Sequence, residues 1–295
     1  RQPVVVVSAL GGATNQLLDV AHKASQGELL AAVQIIEQLR ERHLREAAAL
    51  LSGAPDADEV AHEIGVTFDE LAHLAEAFRT LGYLTPRSLD TVAAIGELLS
   101  SQIVAAAFRH RGFAADFVDA RDVVRTNDFF TKAEPDVDGI AQAAQQVLVP
   151  LIQQGRIPVM GGFVGATASR VTTTLGRGGS DFSASLIGAA IDAEAIEIWT
   201  DVDGMLTADP RVIPAAQLIE RISFEEAAEL AAFGAKVLHP ATIAPAVQRG
   251  IPVYVFNSRR PEGKGTMIAF DAPRLPVRAI AGKRSATMVK LRSSR

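Results

Sequence analysis

A chain of 295 residues, 48% hydrophobic and 21% charged, has material for one large α/β domain or two smaller ones; abundant alanine and only 5% aromatic residues suit helices packed closely on a sheet. Twenty-nine Lys and Arg against 34 Asp and Glu give a net charge of -5, with no basic run long enough to track a phosphate backbone, which argues against nucleic acid as a partner. The absence of cysteine excludes disulfides, thiolate zinc sites and a cysteine nucleophile and points to a cytoplasmic protein, and no stretch reads as approaching the ~20 apolar residues of a membrane span.

Residues 4–7 read as a core strand that empties into the small-residue loop Ser8-Ala-Leu-Gly-Gly-Ala-Thr14, followed by helical spacing over 15–24 through Leu17, Leu18 and Ala21. Residues 28–52 and 57–82 are rich in Ala, Leu and Glu with apolar positions three and four apart, which predicts two long helices separated by the breaker Ser52-Gly-Ala-Pro55. His22, His43, His62 and His73 show no metal-ligand spacing. After Thr85-Pro86-Arg87, residues 88–110 read as one helix or two. Within it Glu97 lies between Ile95 and Leu98-Leu99, where a carboxylate needs a partner unless the residue is on an exposed face.

Alternation predicts a strand over 113–118, a loop or short hairpin over 125–138 and a helix over 140–154. A buried strand over 157–160 ends in the glycine-rich loop Gly161-Gly-Phe-Val-Gly-Ala166. The β-branched run 171–174 then leads through Gly176, Gly178 and Gly179 to a helix opened by Ser180 and continued over 182–191. This strand, loop, helix unit admits a ligand close to the backbone and offers unpaired N–H groups to an anion, with Arg177 adding a positive fork and Asp181 the opposite sign, so both ends of a zwitterion find a partner. A plain turn with a capping Ser or Asp is the alternative. Three glycine-rich loops at strand ends predict one crevice at the carboxyl ends of a sheet.

Further along, 195–200 reads as a strand ending on Thr200-Asp201. Ser223-Phe-Glu-Glu226 matches a capping box before a helix over 224–233 that stops at Gly234. A helix from Pro240, strands over 251–256 and 266–270 and a linker over 272–276 complete the pattern, and 277–295 is too short to fold alone.

Together these segments resemble the aspartate kinases, a branch of the amino-acid kinase family. The likeness is carried by Thr172-Thr-Thr-Leu-Gly-Arg-Gly-Gly-Ser-Asp181, Ile198-Trp-Thr-Asp-Val-Asp-Gly204, Thr207-Ala-Asp-Pro-Arg211 and Phe233-Gly-Ala-Lys-Val-Leu-His-Pro240, with 8–15 and Gly96-Glu97 falling in the family's order. The resemblance implies an α/β fold, a three-layer αβα sandwich with a largely parallel central sheet, and the conversion of ATP and L-aspartate to ADP and 4-phospho-L-aspartate, the first step toward lysine, threonine and methionine. It implies that Arg177 meets the substrate α-carboxylate, that Glu97 and Asp181 meet its ammonium, and that Ser8, Thr14 and Ser180 lie near the substrate. It places Gly178, Gly179, Thr200, Asp201, Leu206, Arg211 and Lys236 on the nucleotide side, with Asp181 and Lys236 as catalytic residues and ATP with Mg²⁺ as the phosphoryl donor. Either Asp181 or Asp201 organises the metal or a lysine.

The attacking carboxylate, with an ordinary pKa of about 3.9, is ionised at neutral pH and needs no general base. Catalysis then consists of positioning and cancelling charge around the transferring phosphoryl group. The chain departs from the family pattern in starting after a strand that carries Lys-Phe-Gly-Gly, and in having Leu206 where a tyrosine is usual. The expected domains are a catalytic domain over 1–272 and, over 273–295, a linker with the start of a regulatory ACT domain. Through ACT domains the full-length family members associate as homo-oligomers and respond to end products, while this stretch alone is expected to be a monomer. Another amino-acid kinase and a non-catalytic nucleotide-binding module remain the alternatives.

Overall fold

In the computed structural model the chain divides into two compact units, Arg1–Asp192 and Ala193–Arg295. Residues 2–176, 178–232, 240–273 and 275–282 are described. The first unit runs β1 (Val5–Val7), α1 (Ala13–Ser25), α2 (Leu29–Leu50), α3 (Ala57–Leu81), α4 (Pro86–His110), β2 (Ala115–Val118), α5 (Val137–Gln153), β3 (Ile157–Gly161), β4 (Val164–Ala166), β5 (Thr172–Thr174) and α6 (Gly179–Ala190).

Strands β1, β3 and β2 lie side by side in that order, all parallel, with Val6 opposite Met160 and Phe117 opposite Val159. Because successive side chains of a strand point to opposite faces, the sheet is covered twice. Val5, Val7, Phe117 and Val159 pack with Val104, Ala105 and Phe108 of α4. Val6, Val118 and Met160 join Ile140 and Leu148 of α5 and Leu186 and Ile187 of α6. The expected αβα layering is therefore complete within this unit. Helices α1, α2 and α3 form a further helical layer on α4, with Leu17, Ile36, Phe68, Ile95 and Leu99 in its core.

Three sequence expectations are corrected here. Residues 88–110 belong to a single helix that starts earlier, at Pro86, because proline suits the first turn and Thr85 Oγ1 accepts the Ser88 N–H at 3.1 Å. That same helix is, among the described residues, long and apolar enough to cross a membrane, against the expectation that no stretch comes close. Its apolar character is explained by its central place in the fold, where it is packed by the sheet on one side and the helical layer on another. Finally, the stretch 161–166 is only partly a loop: Val164–Ala166 pairs antiparallel with Thr172–Thr174, since the buried backbone there needs hydrogen-bond partners. The central glycine turn thus leaves a hairpin arm, whereas the other two loops leave parallel strands.

The second unit contains β6 (Ile196–Thr200), β7 (Arg221–Ile222), α7 (Phe224–Ala232), α8 (Ala244–Arg249), β8 (Val253–Asn257) and β9 (Thr266–Ile268). Its sheet has the order β6-β8-β9-β7, parallel for β6 with β8 and for β7 with β9, antiparallel between β8 and β9. The capping box forms as predicted: Glu226 N–H donates to Ser223 Oγ and Ser223 N–H to Glu226 Oε2, both at 3.1 Å. The predicted stop at Gly234 and most of the tail after 277 lie outside the described residues. The two-residue strand β7 was not anticipated, being too short to show alternation.

Candidate active site

The first unit holds a cavity of about 370 Å³, walled by the loop after β1, by the starts of α1 and α6, by α4, by Phe163 in the turn after β3 and by the glycine turn after β5. Ser8 comes from the loop after β1, which Ser100 of α4 holds by donating its hydroxyl to Ser8 O at 2.8 Å, and Thr14, read in the sequence as part of that loop, lies in the first turn of α1. Gly96 allows this approach, since a Cβ there would lie 2.8 Å from Ala9 Cβ. One residue on, Glu97 lines the cavity with its side chain 4% exposed.

Its Oε2 has no hydrogen-bond partner among the described residues. Burial pushes the Glu97 carboxyl up to about 7, against the pull of the Ala9 N–H. A buried carboxylate with an open lone pair is costly unless a cation arrives.

The opposite elements meet with equally little clearance. A Cβ on Gly162 would lie 2.7 Å from Ser180 Cα, and one on Gly179 would lie 2.4 Å from Phe163 Cδ2. Phe163 itself has φ 62°, and its N–H donates to Ser183 Oγ at 2.9 Å, which ties the turn after β3 to α6. The N-cap of α6 is Gly178 in the left-handed region, with no side-chain cap, so the plain capped-turn alternative is not what forms. Gly178, Gly179 and Ser180, at the start of α6, line the cavity, and the start of a helix suits a negative group. Asp181 lines it too, and burial raises its carboxyl above the ordinary range.

Seven of the residues singled out in the sequence, Ser8, Thr14, Glu97, Gly178, Gly179, Ser180 and Asp181, are thus brought to one cavity. Gly176, marked in the sequence with Gly178 and Gly179 as admitting a ligand, lines it as well, and Phe163, which belongs to the glycine-rich stretch after β3, was missed as a site residue. Arg177 and Lys236 lie outside the described residues.

Of the predicted nucleotide-side residues, Gly178 and Gly179 line the cavity of the first unit, while Thr200, Asp201, Leu206 and Arg211 belong to the second. Thr200 ends β6, and its carbonyl accepts from Ser258 N–H at 2.8 Å and Ser258 Oγ at 2.9 Å. Asp201 follows, exposed, with Thr200 Oγ1 donating to it at 3.4 Å. Asp203, not singled out, anchors this turn by accepting from Asn257 Nδ2 at 2.7 Å and Arg260 at 2.6 Å. Leu206 is half-buried and bridges to Leu218. Arg211 is exposed and grips Asp209 through Nε at 3.0 Å and Nη2 at 2.8 Å.

An αβα unit with a glycine-lined, charge-bearing cavity at the carboxyl ends of parallel strands defines a small-molecule site of the α/β type. The sequence model of the amino acid kinase family matches residues 1–257, and the chain belongs to that family. It is 39% identical to lysine-sensitive aspartokinase 3 of Escherichia coli over 98% of this chain and 63% of that one, and 36% identical to the chloroplastic aspartokinase 2 of Arabidopsis thaliana over 100% and 54%. The chain therefore spans between half and two thirds of the length of these relatives. Among solved structures, that of E. coli aspartokinase III in complex with aspartate and ADP is similar with a TM-score of 0.84 at 39% identity, covering 95% of this chain and 60% of the other.

Proposed function

We propose that this chain carries aspartate kinase chemistry: a side-chain carboxylate oxygen of L-aspartate attacks the γ-phosphorus of ATP, the bond to the β-phosphate oxygen breaks, and 4-phospho-L-aspartate and ADP leave. The observation that carries the reading is the pair Glu97 and Asp181, two carboxylates raised by burial at one cavity of amino-acid size. A substrate ammonium supplies the charge they lack, and the uncapped start of α6 suits a negative group of the substrate. The relative solved with aspartate and ADP supports the same pairing of ligands.

In this reading Ser8, Thr14, Ser180 and Arg177 bind the amino acid and Arg177 takes its α-carboxylate. Gly178, Gly179, Thr200, Asp201, Leu206, Arg211 and Lys236 serve the nucleotide, with Asp181 and Lys236 closest to the reacting groups. Mg²⁺ enters as part of the nucleotide substrate; among the described residues no three His, Asp or Glu side chains cluster to hold an ion by themselves. Arg211 must release Asp209 to reach a phosphate. Residues 1–272 act as the catalytic domain and 273–295 lead into a regulatory domain through which the enzyme associates and senses an end product. The lysine-sensitive name of the E. coli relative supports such regulation. A place in lysine biosynthesis and a cytoplasmic location complete the reading, though the plant relatives are chloroplastic by name.

Calorimetric titration with L-aspartate, N-acetyl-L-aspartate and succinate tests it. The expected result is binding of L-aspartate alone, because an acetylated or absent amine leaves two buried carboxylates unpaired, a loss of 10⁴-fold order for sites of this kind. Equal binding of N-acetyl-L-aspartate, or no binding of L-aspartate, overturns the reading. Trapping acyl phosphate with hydroxylamine in the presence of ATP and Mg²⁺ then follows the transfer itself.

A further inference from the structure

One buried carboxylate in the first unit lies outside the cavity and yet is tied to its wall. Asp90 is on α4, seven residues before Glu97 and therefore about two turns away on the same face. It is 1% exposed. Its oxygens accept from Thr131 N–H at 3.0 and 2.9 Å, from Thr174 N–H at 3.1 Å and from Thr174 Oγ1 at 2.6 Å. Burial raises its carboxyl while the Thr174 and Thr131 donors pull it back down.

Both partners are mechanically significant. Thr174 is the last residue of β5, two before Gly176, and its carbonyl accepts from Ala133 N–H at 2.9 Å. Thr131 has φ 71°, a left-handed conformation that is unfavourable for a β-branched residue and persists only where surrounding contacts enforce it. That conformation brings the 131–132 backbone under Gly176: a Cβ on Gly176 would lie 3.2 Å from Thr131 O and 3.6 Å from Lys132 Cα. Gly176 lines the cavity.

We propose that Asp90 is a positioning residue: by holding Thr131 and Thr174 it fixes the glycine turn, so that one helix, α4, sets both the Glu97 wall and the Gly176 wall of the amino-acid cavity. The substrate named here rests on the aspartate kinase reading above, while the positioning itself does not. Asparagine has the size of aspartate but puts an NH₂ in place of one oxygen; the Thr174 hydroxyl can turn to accept from it, whereas the Thr131 N–H then faces a donor, so the four contacts are not all reproduced.

The test is Asp90→Asn with Thr174→Val as a milder companion that loses only the hydroxyl bond. In hydrogen exchange, Asp90→Asn is expected to raise exchange at Thr131 and over 174–176 at least tenfold while α2 and α3 stay protected. In steady-state assays the KM for L-aspartate is expected to rise about tenfold with the KM for ATP within twofold of the parent, and Thr174→Val to show the same split at a few-fold. Unchanged exchange in these segments, or loosened exchange with both KM values unaltered, overturns the proposal. If Asp90→Asn does not fold, Thr174→Val decides by the same two readouts. A parent enzyme that fails to phosphorylate aspartate refutes the substrate assignment, and the exchange arm still decides the role of Asp90.

Discussion

The helical layer and the cavity of the first unit share α4 but are built on opposite principles. Around Ile36, Phe68 and Leu71 the layer buries side chains that have nothing to lose in leaving water. At the cavity, glycines bring backbones together and Glu97 is left buried with an open oxygen. One region stores stability, whereas the other stores an unmet need that a ligand satisfies. Stability and binding should therefore separate cleanly between them.

The sharpest way to break that separation is Phe68→Ala. Phe68 is fully buried in α3, so its truncation leaves a cavity and is expected to cost about 3–5 kcal/mol in urea denaturation, while aspartate affinity of the folded fraction stays within about threefold. A parallel loss of affinity would show that the helical layer tunes the cavity through α4.

Glu97→Gln probes the other side. With its carboxyl at about 7 in the folded chain and near 4.5 when unfolded, Glu97 holds a proton in the folded state that the unfolded chain gives up between these values. Stability from this group is thus fully present below pH 4.5 and is lost as pH rises to 7 and beyond, by a shift on the order of 3 kcal/mol. Glu97→Gln should remove that slope and be the more stable protein at pH 8, yet bind aspartate at least a hundredfold more weakly. In the parent, aspartate affinity should fall as pH drops below 7, because binding an ammonium must first expel the proton. A flat pH–stability difference between parent and variant would refute the assignment.

Gly162→Ala should do less to stability than Phe68→Ala and more to binding. Its Cβ would meet Ser180 Cα at 2.7 Å, a backbone contact that cannot turn aside, so the start of α6 must shift. Overpacking of this sort costs about 1–3 kcal/mol. A more than tenfold loss of aspartate affinity in calorimetry is expected; unchanged affinity would mean that α6 is free to move without disturbing the cavity.

The same contrast explains what was legible in the sequence. The long helices, the strands at 157–160 and 195–200 and the Ser223 capping box could be read because each is encoded by local periodicity or a local hydrogen bond. The cavity residues Ser8, Thr14, Glu97 and Asp181 were found through glycine spacing and family likeness, since the pairing that brings 8, 97 and 181 together is long-range. The β4–β5 hairpin was obscured because its glycines read as loop. Asp90 gave no signal at all: amid Leu89, Thr91 and Val92 it looks like the polar face of an ordinary helix, and only its three distant donors reveal the role.

The smallest expected effect lies in the helical layer, at its own exception. His43 is fully buried on α2 with its ring 5.3 Å from that of Phe68; Nδ1 donates to Leu39 O at 2.7 Å, and Nε2 has no partner among the described residues. Burial lowers its pKa from 6.5, opposed by the Leu39 carbonyl, with Arg42 lowering and Glu46 raising it slightly. The unfolded chain then binds a proton that the folded chain resists, so stability is present above pH 6.5 and is lost as pH falls below it, the opposite direction to Glu97. His43→Leu should change stability at pH 7.5 by less than about 1.5 kcal/mol and abolish this acid-side loss. The His43 slope by itself is read in the Glu97→Gln background, by subtracting denaturation curves at pH 5.5 and 7.5, and the effect of aspartate on both slopes is read in the parent. Because no ligand relieves His43, aspartate should leave its slope unchanged while erasing that of Glu97; a shift in both would mean that the two regions titrate as one.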